Sequence, residues 1–119
     1  MTAQTRDQAA LPHSKAISLG GVLQVVPGAV VSRTLLKRET GNITLFSFGE
    51  GQGLSEHTAP FDAFIQVVEG EVKLTIGGET VGASSGDVVV MPAGVPHAVE
   101  ATSPLKMLLV MIRDPSPKT

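Results

Sequence analysis

Cysteine, tryptophan and tyrosine are absent from the 119-residue chain, and phenylalanine occurs only four times. Without cysteine there is no disulfide, no thiolate nucleophile and no thiolate metal ligand, which suits a reducing compartment. So few aromatics leave little to stack bases on. Nine basic and eleven acidic residues, scattered to a formal charge of −2, leave no basic surface for nucleic acid. No apolar run approaches the ~20 residues of a membrane span. Residues 1–10 are polar and lack the apolar stretch of a secretory signal. There is no glycine-rich phosphate loop opening a helix and no Gly-x-Ser-x-Gly elbow. Ser55, Ser84 and Ser85 have no evident base beside them. The expectation is a cytoplasmic protein without nucleic-acid or membrane partners. The stretch before residue 16 is also too short for a helix-turn-helix.

What is present is a hydrophobic fraction of 42%, enough for the core of one domain. Residues 1–15 show no periodicity and are expected to form a flexible arm, with a barrel over 16–113 and a tail at 114–119. Short runs rich in β-branched residues follow at 22–26, 29–37, 43–48, 64–68, 72–76, 88–91, 98–100 and 105–112. Glycine and proline punctuate them, as at Pro27-Gly28, Gly77-Gly78, Pro92-Ala93-Gly94 and Ser103-Pro104. Strands of 4–8 residues with a turn every 8–12 residues predict an all-β sandwich or barrel. No long stripe of 3.6-residue period predicts a helix.

The pattern is sharpest at a hairpin. Glu71, Lys73 and Thr75 alternate with Val72, Leu74 and Ile76, the mark of a strand with one wet face. Gly77-Gly78 then supplies the two positive-φ positions of a two-residue turn, and Glu79-Thr80-Val81 returns. Residues 43–48 differ, because apolar side chains occupy both parities: Ile43 and Leu45 against Phe46 and Phe48. Residues 105–112 do the same. Strands buried on both faces in so small a domain predict that one face meets a second copy of the chain, as a homodimer; the alternative is a thick core.

Two stretches concentrate polar chemistry. Gly51-Gln52-Gly53-Leu54-Ser55-Glu56-His57-Thr58-Ala59-Pro60-Phe61-Asp62-Ala63 runs on to Gly70, and Gly86-Asp87 leads through Pro92-Ala93-Gly94 to His97. They resemble the two motifs of the cupin superfamily, G-x5-H-x-H-x3/4-E-x6-G and G-x5-P-x-G-x2-H-x3-N, over about residues 17–112. Gly86, Pro92, Gly94 and His97 fall at the family spacing, as do Gly51, His57 and Gly70. The resemblance implies a single-domain cupin, an RmlC-like jelly-roll β-barrel, of the small bacterial type.

It also implies a metal site that this chain lacks in full. The family pattern gives three histidines and a glutamate to one metal. Here the second histidine position is Ala59, the glutamate position is Ala63, and the terminal asparagine position is Ala101. His57 and His97 remain. Tight protein sites usually hold a metal by three or four side chains, so any affinity for zinc, nickel, manganese or iron is expected to be reduced. Asp62 and Gln66 are candidates for repair, since both lie where the glutamate strand runs. They share parity, and a one-residue slip or bulge would turn both inward. Otherwise Gln66 is a surface or interface amide and Asp62 a turn residue binding nearby N–H groups.

The candidate metal ligands are therefore His57, His97 and Gln66, and the candidate pocket is His57, Asp62, Gln66 and His97. Free of metal, a histidine could shuttle a proton with Asp62. Met91, Met107 and Met111 read as core filler, Glu56 as solvated, Glu50 and Asp87 as turn residues, and His13 as outside the site. Three functions fit: a small-molecule pocket with a weak divalent-metal site, a non-catalytic binding or sensing module without metal, and a remnant that has lost its metal. A metal-dependent isomerase, dioxygenase or lyase of a small acid or sugar derivative is the catalytic form of the first. No catalytic residue is assigned by the sequence.

Overall fold

The computed structural model describes residues 10–113. After a 3-10 turn at Leu19–Gly21, nine strands follow: β1 (Val30–Arg38), β2 (Gly41–Phe48), β3 (Gly53–His57), β4 (Asp62–Glu69), β5 (Glu71–Ile76), β6 (Glu79–Ser84), β7 (Val88–Met91), β8 (His97–Ala101) and β9 (Leu105–Ile112). They form a five-stranded sheet in the order β1-β2-β9-β4-β7 and a four-stranded sheet in the order β3-β8-β5-β6. Every pairing is antiparallel. β9 returns to lie between β2 and β4, and β8 between β3 and β5, which is the jelly-roll connection. No helix among the described residues is long and apolar enough to cross a membrane.

The inner faces of the two sheets close on Phe48, Ile65, Val67, Leu74, Leu105 and Met107, all buried. The Gly77-Gly78 hairpin has the predicted turn: Ile76 pairs with Glu79, and the two glycines take φ 58° and 85°. Gly70, between β4 and β5, sits at φ 92° with the Pro104 carbonyl oxygen where a Cβ would stand, so only glycine fits there.

Two local expectations fail. Residues 22–26 form no strand; they pass as an unpaired segment over the outer face of the five-stranded sheet, with Leu23 buried and Ser47 Oγ donating to the Gln24 carbonyl at 2.9 Å. An apolar β-branched run signals burial, and a packed coil satisfies that as well as a ladder. Conversely, β3 has almost no strand-forming side chains. It is a strand because it pairs with β8, Gly53 opposite Glu100 and His57 opposite His97.

The apolar residues of both parities in β2 and β9 have two explanations. Leu45, on the outer face, is fully buried beneath Leu11, Leu19, Val22, Leu23 and Leu35 of the same chain. The Leu11 N–H donates to the Leu35 carbonyl at 3.3 Å, so residue 11 of the expected arm is held against β1. Lys106 fastens the same segment, with its ammonium 2.6 Å from the Gly20 carbonyl and 3.6 Å from Glu69. Residues 1–9 of the expected arm, and the tail at 114–119, lie outside the described residues. The other half of the outer face is open.

Candidate functional site

His57 ends β3 and His97 begins β8, and the two are direct cross-strand partners, so their side chains leave the same face. A register shift between Leu54 and His57 sets this pairing. Three hydrogen bonds hold the loops that carry them. Gly94 N–H donates to the Ala59 carbonyl at 2.9 Å, Gly77 N–H to the Pro96 carbonyl at 2.8 Å, and Ala93 N–H to Asp62 Oδ1 at 2.9 Å. The Pro92-Ala93-Gly94 turn is thereby fixed from both sides.

The imidazoles stand edge to face, with ring centroids 4.3 Å apart and planes at 71°. His97 is buried and His57 exposed. His57 Nδ1 lies 2.8 Å from the Ser55 carbonyl, and His97 Nδ1 lies 3.2 Å from the Val95 carbonyl. A carbonyl only accepts, so each Nδ1 carries a proton and donates it. Each Nε2 then presents a lone pair, and the two Nε2 atoms face one another at 3.1 Å. Two lone pairs so placed repel; a proton or a cation between them turns the opposition into attraction. Two imidazole nitrogens stand about 3.4 Å apart on a tetrahedral ion with ~2.1 Å bonds, and about 3.0 Å apart on an octahedral one. The donor pair therefore fits a divalent transition metal.

Among the described residues, no further imidazole or carboxylate joins the pair. Ala59 and Ala63 line a cavity of about 90 Å³ beside the two histidines, closed by Met91, Met107 and Met111. They are the positions at which the cupin motif carries histidine and glutamate. Among the described residues, no group of three or more His, Asp or Glu side chains could hold a metal.

Asp62 and Gln66 do not repair the site. Along β4, Ala63, Ile65 and Val67 are buried while Asp62 and Phe64 are exposed. The register shift in this strand lies between Val67 and Glu69, beyond the site, so the odd residues keep pointing inward. Gln66 is opposite Leu108 and Val88 on the outer face, and Asp62 is engaged by the Ala93 N–H. The expected set of His57, Gln66 and His97 is not assembled, and Asp62 is no proton partner of the histidines. Met91 and Met107 are buried as expected of core residues, but they are also cavity wall. Asp87 Oδ2 accepts the Ser84 N–H at 2.9 Å, a turn contact. Phe61, which also lines the cavity, carries no pattern in the sequence that singles it out.

Comparison with known proteins agrees with this fold. No curated protein matches the chain. The solved structure of a conserved protein of unknown function from Streptococcus pyogenes superimposes with a TM-score of 0.86 at 34% identity, covering 91% of this chain and 95% of that one. A cupin superfamily protein from Desulfitobacterium hafniense gives a TM-score of 0.83 at 26% identity, covering 89% and 97%. A cupin 2 conserved barrel domain protein from Leptotrichia buccalis gives 0.79 at 36% identity, covering 82% and 47%. The cupin domain family model matches residues 44–112, both motif stretches included, and the chain belongs to the cupin family.

Proposed function

We propose that the protein is a small-molecule-binding cupin whose pocket holds a divalent transition metal weakly, through His57 and His97 alone. The observation that carries this reading is the facing pair of Nε2 atoms at 3.1 Å with both Nδ1 atoms committed to carbonyls. When bound, such an ion supplies Lewis acidity and an electrophilic anchor for a ligand oxygen. The chain's own contribution is orientation and dryness. Ser55 and Val95 carbonyls fix both rings, and the methionines and alanines exclude water from one side. Among the described residues that line the cavity, only the histidines are acids or bases, and we therefore propose binding rather than turnover. The absence of cysteine supports a cytoplasmic setting.

Protein purified without a histidine tag and dialysed to equilibrium against zinc, nickel, manganese and iron in turn tests the reading, by elemental analysis of both compartments. About one metal per chain, lost in His57→Ala, is the expected result. No metal in the native protein after any loading would overturn it and leave a metal-free binding or sensing barrel. That second reading is favoured by one observation, the replacement of both missing ligands by alanine rather than by another donor.

The working unit of this proposal is a homodimer built on the open half of the five-stranded sheet. In support, the strand register aligns Leu36, Ile43, Val110, Phe64 and Val90 in one row across all five strands. Val90, and Ile112 two residues beyond Val110 on the same face of β9, are each 59% exposed. A continuous apolar row of this kind is self-complementary about a two-fold axis.

A further inference from the structure

A second recess adjoins the histidine cavity. It is a cleft of about 280 Å³ between the β1–β2 hairpin and the end of β9, lined by Lys37, Arg38 and Arg113 with Glu39 as its only acidic wall residue. The local balance is 3 − 1 = +2, in a chain whose formal charge is −2. The ion pairs among the described residues, Lys73–Glu100 and Lys106–Glu69, involve none of these cations. The Arg113 guanidinium instead stands 5.8 Å from the centre of the Phe61 ring, and Arg38 donates to the Lys37 carbonyl. Three cations are gathered with one carboxylate to balance them.

The cleft adjoins the cavity, with Phe61 and Met111 lining both. The register explains why. Lys37 is opposite Asn42, Asn42 opposite Met111, Met111 opposite Ala63, and Ala63 opposite Met91. These five residues form one row on the inner side of the sheet, running from the basic cleft to the histidine cavity. At ~4.8 Å per strand, Asn42 is about 10 Å and Lys37 about 14 Å from Ala63 along the backbone, and the lysine side chain shortens that span. Ala63 also removes the one anionic ligand of the motif, so a cation held at the histidines has no protein charge to balance it. An anion brought by the ligand would supply it.

We propose that the ligand of the histidine cavity is a small dicarboxylic acid that enters through the basic cleft. One carboxylate rests on Lys37 and Arg113, and the other reaches His57 and His97 in the space beside Ala63. This inference rests on the cavity being a ligand site, as argued above; the basic cleft supports it without a metal, and the uncompensated charge adds to it when one is held.

Glutarate, a five-carbon dicarboxylate, is the probe, with pentane-1,5-diol as the neutral control. Affinity is measured by calorimetry on the full chain with and without zinc, and the imidazole signals of His57 and His97 are followed by NMR. Glutarate is expected to bind at least about tenfold more tightly than the diol and to shift both imidazole signals. Lys37→Gln and Arg113→Gln, each at an exposed position, should weaken glutarate binding about tenfold, as loss of a charge-assisted hydrogen bond does. Unchanged affinity in both variants, with folding verified by circular dichroism, would overturn the inference; so would saturating glutarate that leaves the imidazole signals in place. Zinc uptake without glutarate binding defeats this inference and leaves the metal reading standing. Cleft-dependent glutarate binding without any metal uptake does the reverse.

Discussion

Restoring the missing carboxylate by Ala63→Glu should lower stability without metal and raise it with metal. Ala63 is 4% exposed and points into the cavity of about 90 Å³ that His57 and His97 share. That is roughly three times the ~30 Å³ a liquid water occupies, so the four added heavy atoms have room without repacking Met91 or Met111. A carboxylate walled by methionines is stripped of water, with only the two imidazoles as polar neighbours, and a buried charge with incomplete compensation costs several kcal/mol. The metal-free variant is therefore expected to lose about 2–4 kcal/mol, a fall in Tm on the order of 10 °C for a domain of this length. A divalent ion on two imidazoles and one carboxylate offsets this loss, because ligand at a thousand times its Kd stabilises by ~4.1 kcal/mol. Scanning calorimetry of native and variant protein, in chelator and in excess zinc, reads both effects. Ala63→Glu in a His57→Ala background should show the loss without the recovery, which isolates coupling between the two positions. Zinc that fails to restore the variant, or restores it equally without His57, would refute the argument that this alanine sits at a vacated ligand position.

Three further perturbations probe the scaffold. Asp62→Ala removes the acceptor of the Ala93 N–H and should cost about 1–2 kcal/mol in chemical denaturation; it should also lower metal uptake, because the turn before His97 loosens although Asp62 is no ligand. Lys106→Ala strips the donor from the Gly20 carbonyl and the packed alkyl stem together, a cost of about 2–3 kcal/mol, whereas Lys106→Met keeps the stem and should cost less; equal losses on urea unfolding would contradict that division. Phe64→Glu places a charge in the middle of the open apolar row and should leave a folded monomer by sedimentation velocity; a variant that sediments like the native protein at the same concentration would remove the dimer from the proposal.

How far the site could be read from the sequence depends on how local its determinants are. The second motif is local: a turn at Gly86, a strand, a turn at Pro92-Ala93-Gly94 and His97 entering β8, each element fixed by residues within reach of one another. The Gly77-Gly78 hairpin is local for the same reason. The fate of Asp62 and Gln66 is not. Apolar residues on both parities of β4 leave its facing open, and the answer lies in the pairing with β7 and β9 and in a register shift placed after Val67. β3 is likewise invisible, since its strand state is imposed by β8. The basic cleft is the extreme case. Lys37 and Arg38 are separated from Arg113 by most of the barrel in sequence, and only the return of β9 beside β2 puts them together.

The same non-locality bears on what the alanines mean. If Ala59 and Ala63 had merely dissolved a metal site, the histidines would be free to relax, and a buried His97 without use would be a standing cost. Instead each ring remains held through Nδ1, with its Nε2 aimed at the other. The loops behind them are tied by hydrogen bonds from Ala93, Gly94 and Gly77. The space left by the missing ligands shares the Phe61 and Met111 wall with a cleft whose charge is opposite to that of the whole chain. A site that keeps its orienting contacts, has no internal anion and lies beside a cluster of cations suits a ligand that brings the anion with it. The two alanines are then part of the specificity: they exclude a closed four-ligand centre and leave coordination to be completed by what enters.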